Sequence, residues 1–131
     1  YQTALDAGEL LTEIRVPPPS RLGWSHIKFT PRSVEDFATV GVAITLSSKG
    51  GICEDVRLGL NSVASTIVHA RQAEATLRGH SINDDLLRHM GEVAASETDP
   101  VDDNRGSAAY KREMVKVLVP RAAKEALQRA G

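Results

Sequence analysis

The chain has 131 residues, 41% hydrophobic and 25% charged, with sixteen Lys and Arg against seventeen Asp and Glu. That is enough for one domain with a real core, while a net charge of -1 argues against the clustered basic surface that nucleic acid binding needs. An aromatic content of 4% leaves few rings to stack bases, and the sole cysteine, Cys53, closes neither an internal disulfide nor a cysteine metal site, which fits a reducing cytoplasm.

Leu10–Val16, LLTEIRV, alternates weakly and reads as a strand that stops at Pro17-Pro18-Pro19, since proline has no N–H for a ladder. Trp24–Thr30 alternates Trp24, His26 and Lys28 against Ser25, Ile27 and Phe29, and Pro31 ends it. Phe37–Ser47 is apolar and β-branched, with Val40, Val42, Ile44 and Leu46 on one side. Ile52–Val63 follows Lys49-Gly50-Gly51, and a Gly-Gly between two such runs is a hairpin signal. Strands joined by short turns predict a largely antiparallel sheet.

The second half carries helical spacing. Val68–Gly79 places Ala70, Ala73 and Leu77 on one face with Gly79 beyond its end. Ser81–Glu97 puts Leu86, Leu87, Met90, Val93 and Ala94 on one stripe, with Asp84 and Asp85 near the positive helix start. Arg105–Gly131 has a buried face of Val115, Leu118, Ala122 and Ala126, and Pro120 inside it predicts a kink or break. Strands first and helices after is an α+β pattern: one domain, residues 1–131, with an antiparallel sheet of three to four strands and three helices over one face. The sheet's other face then needs water or a partner. No run approaches the ~20 apolar residues of a membrane helix, and no signal peptide is visible. The first residue is Tyr1 and not Met, so the expectation is the interior of a longer protein.

No catalytic constellation stands out. His26, His69, His80 and His89 lack metal-ligand spacing and read as solvated or capping side chains; Cys53 reads as a small core residue. Without G-x-G-x-x-G or a Walker pattern, no independent nucleotide site is expected. Two clusters remain. Lys28, Arg32, Glu35 and Asp36 form either a surface loop with an ion pair worth ~0–1 kcal/mol or a ligand-facing loop with fixed positive charge. In Asp102–Met114, Asp103 or Asn104 is a candidate helix cap, Gly106 permits a close approach, and Tyr110-Lys111-Arg112 suits an interface.

The stretches ALDAGELLTEIRVP, KFTPRSVEDFATVGVAI, GICEDVRLGLNSVASTIVHARQAEATLRG and DDNRGSAAYKREMVKVLVPRA occur in this order. Together they resemble the C-terminal domain of the flavoprotein (medium) subunit of molybdenum hydroxylases, the family of carbon monoxide, xanthine and aldehyde dehydrogenases. The resemblance covers essentially the whole chain and departs from the family at Ser65-Thr66-Ile67 and Pro120. It implies a small antiparallel sheet with three helices, enclosing an FAD held mainly by a larger N-terminal domain absent from these residues. It implies flavin-site roles for Lys28, close to the ring, and for Arg32 and Glu35, on a loop that modulates its electrostatics. It also implies an iron–sulfur small subunit and a molybdopterin large subunit as partners, electron transfer through the flavin to an acceptor, and no catalysis by the isolated domain. The rival expectation is a free-standing interaction domain of the same fold with no flavin role.

Overall fold

The computed structural model describes residues 3–16, 22–34 and 36–130. The hairpin forms where the Gly-Gly signal placed it. Strand β2 (Val40–Lys49) pairs antiparallel with β3 (Ile52–Asn61), from Gly41↔Asn61 to Lys49↔Ile52. Gly50 and Gly51 both have positive φ, +59° and +80°, the backbone that a two-residue turn matched to strand twist requires and that residues with a Cβ resist. Strand β1 (Gly23–Phe29) pairs antiparallel with the other edge of β2.

The fourth strand is not the expected one. Leu10–Val16 has no ladder partner among the described residues, and Pro17–Pro19 lie outside them. Instead β4 (Val68–His69), read from the sequence as the start of a helix, pairs with β3 at Leu60 and Gly59. Val68 meets an open strand edge before any helical turn has closed, so edge pairing overrides helical spacing. The order is β1-β2-β3-β4, antiparallel throughout.

Helix α1 is therefore short, Arg71–Leu77, and its side chains finish the edge of β3 where β4 runs out. Leu58 N donates to the Glu74 carboxylate (2.8 Å), and Arg78 Nη2 donates to Val56 O (2.9 Å) and to Asp55 (3.2 Å). Further along, Cys53 N donates to His80 O and Gly79 N to Cys53 O. An edge covered this way cannot template another chain.

Helices α2 (Asp84–Ser96) and α3 (Ala108–Arg129) complete the layer over one face. Val42, Ile44, Leu46, Val56, Leu58 and Leu60 meet Leu77, Leu87, Met90, Val115 and Leu118 in a continuous core. Leu86 is half-buried and the neighbouring Leu87 fills the core. Asn83 caps α2 through Leu86 N, and Ser107 caps α3 through Tyr110 N, one turn after the Asp103 or Asn104 expected there. Pro120 does not break α3. Its missing N–H frees the carbonyl of Lys116, which faces α2 at Gly91: a Cβ on Gly91 would lie 2.7 Å from that oxygen and 3.0 Å from Pro120 Cδ. Glycine there lets the two helices close on the proline.

Candidate functional site

Strand alternation sends Trp24, His26 and Lys28 to the sheet face opposite the helices, and the register lines them up in rows across the strands. Trp24 stands beside Thr45 and Arg57; His26 beside Ala43, Gly59 and His69; Lys28 beside Gly41 and Asn61. No element among the described residues covers this face. Its middle row has a floor of Ala43 and Gly59 between taller walls, Trp24 and His26 on one side and Ile67 and His69 on the other, around an open recess of about 560 Å³. Trp24 is 57% and Ile67 75% exposed.

The walls are anchored from below. Arg129, in the last turn of α3, lies 4.5 Å from the Trp24 ring centroid and donates to Trp24 O (2.9 Å). Ser25 donates to Glu125 (2.8 Å), and Gly23 lets α3 approach so closely that a Cβ there would sit 2.0 Å from Ala126 O. His69 donates from Nε2 to the buried carboxylate of Glu74 (2.7 Å), which fixes its ring. His26 and His69 have no ligand spacing in the sequence, but the sheet register brings them to opposite walls of one recess.

One row on, the structure extends Lys28 toward the β1–β2 loop, where its ammonium donates to Val34 O (2.6 Å). Arg32 is exposed and lies 3.4 Å from Asp36, whose carboxylate also accepts from Ser33 N (3.3 Å). Lys28 and Arg32 thus share one loop region; Glu35 lies outside the described residues.

The second cluster folds onto the first. Arg105 lies over the Phe37 ring (5.1 Å) and its carbonyl accepts from Thr39, 66 residues away (3.2 Å). Pro31, Arg32, Asp36, Phe37, Asn104 and Arg105 surround a polar recess of about 490 Å³. The buried Lys111 fixes this turn, donating to Val101 O (2.9 Å) and pairing with Asp103 (2.8 Å). The Lys111 ammonium, then the Arg105 N–H, hold the Asp103 carboxyl below the usual carboxylate range. A depressed folded value stabilises above the unfolded value and is lost as pH falls through the folded one. Asp103→Asn should therefore lower the melting temperature at pH 7, with the gap to wild type closing below about pH 4; an equal gap at pH 3 and pH 7 would refute the pairing.

Cys53 is buried, and burial pushes its thiol above the ordinary value, as for an inert core residue. Among the described residues no group of three or more His, Cys, Asp or Glu could hold a metal ion, and no helix is long and apolar enough to cross a membrane.

Residues 25–126 match the family described as the CO dehydrogenase flavoprotein C-terminal domain. The chain is 37% identical over 131 residues to the carbon monoxide dehydrogenase medium chain of Afipia carboxidovorans, covering 99% of this chain and 45% of that one. It is 35% identical over 126 residues to the glyceraldehyde dehydrogenase medium chain of Sulfolobus acidocaldarius, covering 95% and 44%. The fold superposes on the carbon monoxide dehydrogenase of Hydrogenophaga pseudoflava with a TM-score of 0.93 at 34% identity, over 99% of this chain and 45% of that one. The chain thus spans less than half the length of the relatives it matches.

Proposed function

The chain belongs to the CO dehydrogenase flavoprotein C-terminal domain family, and from that premise we propose that its open sheet face closes over the flavin of an FAD-binding oxidoreductase subunit. The observation that carries this reading is the uncovered face itself: a floor of Ala43 and Gly59 walled by Trp24, His26, Ile67 and His69, with Lys28 one row away. Small residues between taller walls fit a flat ring, and nothing in the chain offers the glycine-rich cradle a dinucleotide's phosphates need. FAD would accordingly be held mainly by an N-terminal half of the subunit.

When bound, a flavin supplies an electron acceptor that passes electrons onward. Lys28 contributes a fixed positive charge that favours the more negative redox state of a group beside it. Arg32 and Glu35 belong to the loop we assign to the rim, with Arg32 held near Asp36. Trp24 and His69, each anchored from the helical layer, shape the wall and help exclude water. Relatives named as medium chains of dehydrogenases, and a solved relative described as lacking the Mo-pyranopterin moiety of its molybdenum cofactor, support a place beside iron–sulfur and molybdopterin subunits. The substrate would then be selected elsewhere, and this domain would be inactive alone.

The test has two arms. FAD titrated into the 131-residue chain should show neither fluorescence quenching nor thermal stabilisation at micromolar ligand. In the complete subunit, Lys28→Met should lower the flavin midpoint potential by tens of millivolts, roughly what one screened charge supplies, while FAD content stays unchanged. An unaltered potential removes Lys28 from the site. Tight FAD binding by the chain alone removes the division of labour.

A further inference from the structure

A lysine carries its charge on a flexible four-carbon stem, and that charge acts on a neighbour only from a defined place. The Lys28 ammonium is placed by the β1–β2 loop, through its 2.6 Å bond to Val34 O. What holds the loop therefore holds the charge. The loop has little grip of its own. Val34 is 85% and Phe37 78% exposed, and the Arg32–Asp36 and Ser33–Asp36 contacts only close the loop on itself. Among the described residues, its polar contacts run within the loop, to β1, or to Arg105.

Arg105 belongs to a turn built as a fixed post. Asp103 and Gly106 exchange backbone hydrogen bonds in both directions, at 3.2 Å each. The Asp103 carboxylate accepts from Arg105 N (2.8 Å) and Nη1 (3.4 Å) and from the Lys111 ammonium (2.8 Å). Lys111 is 2% exposed in the first turn of α3 and also donates to Val101 O (2.9 Å). Asp102 accepts from Ala108 N, which fastens the same turn to the helix start. A buried ammonium is costly to leave unpaired, so the post keeps its shape. From it Arg105 reaches the loop twice. Its guanidinium lies 5.1 Å from the Phe37 ring centroid, and its carbonyl accepts from the hydroxyl of the fully buried Thr39 (3.2 Å).

We infer that Arg105 is a positioning residue for the Lys28 charge. It tethers the β1–β2 loop to the turn at 102–107, and the tethered loop keeps Val34 O where the ammonium docks. The inference rests on the flavin reading above only for what the charge acts on. The tether itself makes no use of the flavin.

Phe37→Leu combined with Thr39→Val removes both contacts and changes no charge, so any electrostatic effect must come through the loop. In the complete subunit, amide hydrogen exchange of residues 31–38, read by mass spectrometry, should quicken about tenfold. It should do so with the flavin retained or removed. The flavin midpoint potential should fall by part of the Lys28→Met shift, since a released ammonium spreads into solvent, while flavin content stays unchanged. In a Lys28→Met background the same two substitutions should leave the potential where Lys28→Met alone puts it, because the charge they displace is already gone. Phe37→Leu alone, at an exposed position, should show the same effects to a smaller degree. Unchanged exchange overturns the tether. An unchanged potential beside a shifted Lys28→Met, or full additivity with Lys28→Met, overturns the positioning role. If Lys28→Met itself leaves the potential unaltered, the flavin reading fails, and the exchange arm alone then decides the tether.

Discussion

Glu74→Ala should lower the unfolding free energy of the domain by about 3–5 kcal/mol, the scale for removing one partner from a buried charged network. Glu74 is 2% exposed. Its carboxylate accepts from Leu58 N and His69 Nε2 at 2.8 and 2.7 Å, with Arg78 at 3.5 Å. Alanine leaves the Leu58 N–H at the end of the short β3–β4 ladder without an acceptor, and an unsatisfied buried donor costs about 1–3 kcal/mol alone. It also releases His69 from its fixed place on the recess wall. Glu74→Gln retains an oxygen for Leu58 N and nearly the same volume, so its loss should be about half as large. Urea unfolding followed by circular dichroism measures both; an alanine variant within about 0.5 kcal/mol of wild type would show that the network is structurally idle.

Leu118→Ala should cost about 2–5 kcal/mol, the range for a buried leucine whose cavity the surroundings only partly fill. Leu118 is 1% exposed in the middle of α3, facing the core shared with β2 and β3. Its neighbour Val117 is 51% exposed, so Val117→Ala should stay within about 0.5 kcal/mol. The pair controls for helix propensity, and similar losses at both positions would mean that the buried face of α3 is wrongly assigned.

What could be read from residue order was what neighbouring residues settle between themselves. Gly50-Gly51 fixed the β2–β3 hairpin because positive φ is a property of those two residues. The apolar periods of Val40–Leu46 and of Leu77, Met90, Val115 and Leu118 identified the core because burial follows the repeat of a strand or helix. The alternation of β1 put Trp24, His26 and Lys28 on one face before any partner strand was known. The family motifs added the likeness to a flavoprotein domain, which periodicity cannot supply.

Tertiary structure decided everything that depends on which edge meets which. Val68–His69 became a strand because β3 had an edge to fill, while Leu10–Val16, the better strand by alternation, has no partner strand among the described residues. Pro120 stayed inside an unbroken helix because Gly91 on α2 gave room to the carbonyl it frees. Arg105 reached the Phe37 ring, and its carbonyl reached Thr39 across 66 residues, while His26 and His69 came to the two ends of one row across four strands. None of these pairings has a local signature, because long-range contacts are chosen by the whole chain's packing and not by the residues that make them.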